Sequence, residues 1–357
     1  MLQRENNIRF KVLRNGADYA FLRADGAPSL RASGNAEIKM SLQGTFKPDA
    51  VDAAGQTVPV DWLSDEIKPL LVLDGVTHPL GVFAASKAPE TDDDGRRLLN
   101  VQAYDRCWRV KETRAESLVY WPAGTNYITA VEQLLTGAGI NSVLATPTAA
   151  VFATAREDWE IGESYLTIAN QLLAEINYKQ LWFNSDGVAV LEPMSVPRAE
   201  SIQHVLTDFK PRRIEQLIGP AVTKTTDLYN APNVWICVCE NPDFPAPLVA
   251  TSENRNVNSP LSTARRGRRI VQKVKVDNIA NIDELQKYAD RLRDQSLISS
   301  ENVEIETALL PGFGVDAVVG LQVGDIMSVC IDREWSMSLT VGGTMAHKME
   351  RVIFNIE

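Results

Sequence analysis

His78, His204 and His347 are the only histidines in this chain, and a histidine does acid–base or nucleophile-activating work only beside a Ser, Cys or carboxylate that it can reach. His78 precedes Pro79 in a turn, His204 falls in a connecting strand and His347 lies near the end. No such arrangement is recognisable around any of them, so each reads as structural. Asp92-Asp93-Asp94 and Glu157-Asp158 supply paired carboxylates for acid–base chemistry, but adjacent carboxylates in turns are ordinarily solvated. A zincin HExxH, a Walker phosphate loop and a GxSxG elbow are all absent. Four cysteines, Cys107, Cys237, Cys239 and Cys330, are too few and scattered for a disulfide framework. Cys237 and Cys239 sit two apart, which puts both on one face of a strand as small apolar thiols; a structural zinc site needs a second pair at similar spacing, and there is none. The sequence therefore offers no catalytic, cofactor-binding or metal site and is not read as an enzyme.

Binding chemistry is more concentrated. Arg265, Arg266, Arg268 and Arg269 fill four of five positions at the end of Asn241–Arg269, a long loop dense in Pro, Asn and Ser. The bland reading is a solvated basic turn. The sharper one is a patch that pairs with carboxylates of a partner, often bidentately, with phosphate as the rival ligand. Asn254, Asn256, Asn258 and Pro260 suit an ordered docking loop. Among seven tryptophans, Trp108, Trp182, Trp235 and Trp335 lie in apolar strand patterns and read as core, whereas Trp62, Trp121 and Trp159 stand in polar or Pro-containing loops. Rings in such loops serve either an interface between subunits or a receptor- or carbohydrate-binding surface, and the subunit interface is the favoured use.

These residues must be positioned by a chain of 357 residues, 45% hydrophobic and 23% charged, which predicts two or three globular domains. A net charge of −10 argues against a general basic surface that wraps nucleic acid. The charged start, Met1-Leu2-Gln3-Arg4-Glu5, and the lack of any apolar run near 20 residues predict a chain made in the cytosol without membrane insertion. Strand signals open the chain: Ile8–Leu13 and Tyr19–Leu22 around Asn15-Gly16, then Ala36–Gln43, Ile67–Leu73 before Asp74-Gly75, Leu80–Ala84, and Arg97–Asp105 after an Asp92-Asp93-Asp94-Gly95 turn. Residues 1–118 thus read as one barrel-like or sandwich-like β domain.

Residues 119–197 read as a small α+β insert. Ile128, Val131, Leu134 and Leu135 line a helix behind a Thr125 cap, and Leu166, Ala169, Leu172, Leu173 and Ile176 line a second. Lys179–Asn184 and Val188–Glu192 form a hairpin around Ser185-Asp186-Gly187. The charged positions Glu132, Glu175 and Lys179 suit solvent. Residues 198–357 return to strands: 200–276 favour them on either side of the Asn241–Arg269 loop, and Asn302–Leu309, Gly324–Cys330, Glu334–Val341 and Glu350–Ile356 follow. A third helix starts at Asn281, with Glu284 at the reciprocal capping-box position and Ile282, Leu285, Tyr288, Ala289 and Leu292 as its stripe. The fold class is mainly β with an α+β insert between two β domains.

Ala36–Phe46, Pro69–Phe83 and Val101–Asp105 resemble the opening barrel of phage tail hub proteins. Gly124-Thr125-Asn126-Tyr127 ahead of a helix, and the run from Trp159 through Leu172-Leu173 to Leu181-Trp182-Phe183, are similar to that family's insert. Arg265–Ile270 and Met345–Arg351 extend the similarity over nearly the full length. The order of segments carries it, since no motif is strict. The family is related to the baseplate hubs of contractile phages and to type VI secretion spike hubs. The resemblance implies two tube-type β-barrels per chain and a homotrimer whose pseudo-hexameric ring continues a six-fold tail tube. It further implies a DNA channel of acidic or neutral wall that lets DNA pass without specific binding, and a place in the virion tail. Partners would be the tail tube or distal tail protein ring, the tape measure protein and central spike or fibre proteins; no cofactor is implied. Within that picture the arginine loop is expected to contact an adjacent hub chain or the neighbouring ring, and the insert to pack outside. A tail-tip receptor- or carbohydrate-binding protein, or a cell-wall hydrolase, is the alternative.

Overall fold

The computed structural model describes residues 6–93, 96–195, 197–207, 223–225, 231–240, 246–257, 259, 261–276, 279, 281–295, 298–323 and 326–352. Its first part comprises β1 (Asn6–Arg14), β2 (Ala17–Ala24), β3 (Ser29–Ser33), β4 (Met40–Val51), β5 (Thr57–Pro59), β6 (Glu66–Leu73), β7 (Val76–Pro79), β8 (Phe83–Lys87), β9 (Glu90–Asp93) and β10 (Arg96–Asp105). Asn15 and Gly16 both take positive φ, as do Asp74 and Gly75. These are the backbone angles that two-residue turns need to match strand twist, which is why both sequence pairs make hairpins. Strands β4, β2, β1, β6, β8 and β10 pair in that order, and β10 returns to β4 from Leu99↔Phe46 to Tyr104↔Ser41, closing a six-stranded barrel. Closure removes the exposed edges that an open sheet would present. Of the expected Asp92-Asp93-Asp94-Gly95 turn, Asp92 and Asp93 belong to β9, paired with Arg97 and Arg96, and residues 94 and 95 lie outside the described residues. The expected strand at Ala36 instead begins at Met40, because Lys39 Nζ turns back to bond the carbonyls of Gly34 and Ala36.

Next come α1 (Arg106–Glu112), α2 (Tyr127–Gly137), β11 (Val143–Ala145), α3 (Tyr165–Glu175), β12 (Trp182–Phe183) and β13 (Ala189–Leu191). Asp105 caps α1 by accepting from the Cys107 amide, so Trp108 lies on a helix where a strand pattern was expected. The cap of α2 is Asn126, whose Oδ1 accepts from the Ile128 amide at 2.9 Å; Thr125 spends its hydroxyl on Pro122 O. The expected apolar stripes of α2 and α3 face each other over a core of their own that also takes in Cys107, Phe152 and Leu181. Arg106 fastens this unit to the barrel through two bonds to Glu66 (2.9 and 2.6 Å) and one to Gly187 O.

The remainder is β14 (His204–Thr207), β15 (Thr223–Thr225), β16 (Val234–Cys239), β17 (Leu248–Glu253), α4 (Thr263–Arg266), β18 (Val271–Val276), α5 (Ile282–Gln295), β19 (Ile298–Ala308), β20 (Ala317–Val323), β21 (Ile326–Ser338) and β22 (Thr344–Val352). Among the described residues six further strands, β15-β19-β22-β21-β20-β14, here termed the second sheet, extend the barrel's own sheet, which has 16 strands in all. The expected Gly324–Cys330 and Glu334–Val341 are one 13-residue strand, β21, with a bulge between Asp332 and Glu334; Gly324 lies outside the described residues. The first half of β21 pairs with β20 and the second with β3, so hydrogen bonding runs unbroken from the barrel into the second sheet. One apolar core, from Phe10 and Phe46 through Val319 and Trp335 to Met349, is continuous across both. Strands β17, β16 and β18 form a separate sheet under α5, with a small core that includes Cys237, Cys239 and Leu285. Asn281 caps α5 as expected, but the reciprocal half of the box is replaced: Glu284 accepts from Asn177 Nδ2 of the insert at 2.9 Å.

Candidate interaction surfaces

The loop expected from Asn241 to Arg269 contains a strand, β17, because Leu248–Glu253 alternates an inward Ala250 and Ser252 with outward neighbours and pairs with β16. Residues 241–245, Asn258 and Pro260 lie outside the description. At the end of β17, Glu253 gathers the loop: Oε2 accepts from Arg255 (3.0 Å) and Arg269 (2.7 Å), and Oε1 from the Thr263 hydroxyl (2.8 Å). The Arg255 bond first, with those from Thr263 and Arg269, pulls the Glu253 carboxyl down to about 2. Asn233, fully buried, donates to Leu261 O and Arg268 O and accepts from the Ile270 amide at 2.7 Å. Ser262 caps α4, and Gly267 ends it at φ 61, a left-handed angle that glycine takes without a Cβ penalty.

The four arginines divide. Arg266 donates to Ala231 O at 2.8 Å and Arg269 to Glu253, so both hold the loop to its own chain. Arg265 and Arg268 are exposed and form no ion pair with the described residues. Trp62 is half-buried against the barrel core with its indole donating to Pro48 O. Trp121 and Trp159 do lie in loops, yet both are buried, and the expectation that they stand free for a neighbouring chain is corrected. Their rings meet edge-on at 5.6 Å, and each indole N–H donates to a glutamine, Trp121 to Gln133 and Trp159 to Gln171. A polar partner inside the insert is what lets a tryptophan from a polar loop turn inward. Trp235 and Trp335 are core as expected, whereas Trp108 and Trp182 keep part of their surface.

Two buried polar clusters escaped sequence reading. Glu175, expected in solvent, is buried in a two-bond pair with Arg156 (2.7 and 3.0 Å) and also accepts from Tyr127. Arg156 additionally bonds Asp158 and lies over the Trp159 and Phe152 rings. His347, read as lacking any Ser, Cys or Asp arrangement, in fact bonds Asp332 Oδ2 through Nδ1 and meets the Thr307 hydroxyl through Nε2 at 2.9 Å. Burial raises the Asp332 carboxyl to about 6, against the opposing His347 bond. All three side chains sit inside the core shared by the β sheets, with no surface for a substrate, so the cluster ties β19, β21 and β22 together and is not a reaction centre. Among the described residues no group of three His, Cys, Asp or Glu is placed to hold a metal, and no helix is long and apolar enough to cross a membrane.

No protein-family model matches the chain, and no curated protein matches it. Solved structures do. The tail protein from Neisseria meningitidis MC58 superposes with a TM-score of 0.65 at 13% identity, covering 96% of each chain. The prophage MuSo2 43 kDa tail protein from Shewanella oneidensis gives 0.64 at 11% identity over 97% of this chain and 98% of that one. A chain of the Francisella PdpA-VgrG complex gives 0.55 at 9% identity, over 98% of this chain and 58% of that one. At such identities the likeness is one of fold. The chain has the mainly β fold of phage and prophage tail proteins, and the resemblance to tail hubs read from segment order is matched at that level.

Proposed function

We propose that the chain is a structural tail hub: three copies form a ring that closes or continues a six-fold tail tube at the baseplate or tail tip and encloses part of the DNA channel. The observation that carries this reading is the pairing of β21 with β3. It joins a closed six-stranded barrel to a further run of paired strands over one core, so each chain offers two β units to a ring. Two units in each of three chains present six to a six-fold neighbour, and symmetry matching is the physical task. The fold shared with tail proteins and with a VgrG-containing complex supports the same place, beside a tail tube or distal ring, a tape measure protein and a central spike. The role is scaffolding rather than catalysis, with DNA passing transiently through an acidic or neutral lumen. The insert, with its own core and its tether at Arg106, sits on the outside of the ring. Reconstitution tests the reading: the purified chain mixed with the tube protein of the same tail should cap tubes at one end, and a chain that never associates with tube ends overturns it.

A further inference from the structure

Two backbone bridges, Arg114↔Ser164 and Trp121↔Arg156, zip the segment after α1 to the segment before α3. Between them, residues 116–120 and 157–161 form a pair of loops on the insert. Val119 and Trp159 turn inward to the core, while Leu118 (54% exposed), Tyr120 (57%) and Ile161 (68%) are exposed on the two loops that the bridges place side by side. Glu116, Glu157 and Glu160 lie on the same two loops, all exposed and none in an ion pair with the described residues, with Arg114 bonded to Gly162 O at their base and Glu160 lining a cleft shared with Lys275. An apolar centre with an acidic rim is the build of an interface rather than of a solvated loop, where scattered polar groups would serve. The opposite build occurs beside α4. Arg265 and Arg268 are exposed on a loop stitched by Glu253 and Asn233, and Val257, earlier in the same loop, is 67% exposed.

We propose that these two surfaces dock on each other between copies of this chain, the acid-rimmed patch of one insert receiving the α4 loop of its neighbour, an assignment that rests on the trimeric reading above. Charge complementarity selects the occupant. In a chain of net charge −10, the α4 loop supplies two guanidinium groups that form no ion pair with the described residues, on a segment held by the bonds of Glu253 and Asn233. Val257 meets the Leu118, Tyr120 and Ile161 centre while Arg265 and Arg268 reach the carboxylates. Because donor and acceptor patches are different surfaces of one chain, the contact is head-to-tail, the type that closes into a ring when the rotation allows it.

Charge exchange and cross-linking test this. Arg265→Glu with Arg268→Glu should weaken assembly about tenfold at low salt, and less as salt rises. Glu116→Arg, Glu157→Arg and Glu160→Arg together should do the same, and mixing the two variants should restore part of the assembly. In parallel, a Tyr120→Cys chain and a differently tagged Val257→Cys chain should give a mixed disulfide dimer on oxidation; the four native cysteines are buried and silent. A ring of three that is unaffected by either charge set and gives no mixed dimer overturns the docking and leaves the trimer standing. A wild-type chain that stays monomeric, together with cysteine variants that give no mixed dimer, overturns both.

Discussion

His347 Nδ1 lies 2.6 Å from Asp332 Oδ2, and neither side chain has any surface in contact with solvent. An aspartate in such a place is there at a cost, because burial penalises its charge and raises its pKa from 3.8 to about 6. A raised acid binds its proton more tightly in the folded state than in the unfolded one. Its contribution to stability is therefore full below pH 3.8 and is lost as pH rises through about 6. Asp332→Asn should remove that dependence: the difference in unfolding free energy between variant and wild type should change steadily from about pH 4 to 6 and be flat above 7. Urea unfolding at each pH measures it, and parallel curves would contradict the assignment.

Arg156 and Glu175 make a second prediction. Removing one member of a buried pair strands the other's charge, so Glu175→Ala should cost about 3–5 kcal/mol. Glu175→Gln, which keeps the hydrogen-bonding shape, should cost less. Since the pair belongs to the insert's own core, hydrogen exchange should quicken first in α2 and α3 and last in β1 and β6.

The division among the arginines is also measurable. Arg269→Ser removes a bond to Glu253 and should speed amide exchange at Thr263 and Gly267 several-fold, whereas Arg265→Ser should leave those amides unchanged. Equal effects would mean that Arg265 holds the loop too.

Much of this was legible in the sequence. The stripes of α2, α3 and α5 repeat at helical spacing, and Asn15-Gly16 and Asp74-Gly75 demand left-handed angles that only a few turn types use. The unread parts share a cause, in that their partners are distant in sequence. Glu175 is an ordinary solvent residue until Arg156, from a loop 19 residues away, is folded against it. Thr307, Asp332 and His347 fall on three strands that become neighbours only through register. Helix α1 has seven residues, too few for a periodic signal, and is fixed by the Asp105 cap. The arginine cluster was plain in composition, but which two guanidinium groups turn inward depends on Glu253 and on the carbonyl of Ala231.

Gly34 offers a test of the joint between the barrel and the second sheet. A Cβ built there would stand 2.1 Å from Asp316 Oδ1, which itself bonds Arg333 at 2.8 Å. Gly34→Ala should displace Asp316 from Arg333 and lower stability by about 1–3 kcal/mol. An unchanged midpoint in denaturant would mean that the joint yields without loss.

The central claim is the ring. Sedimentation equilibrium of the purified full chain, read together with negative-stain projections, tests it most directly. The account predicts a three-chain mass and end-on views with a central hole and six peripheral densities. A stable monomer, or dimers and hexamers without a trimer, would contradict it.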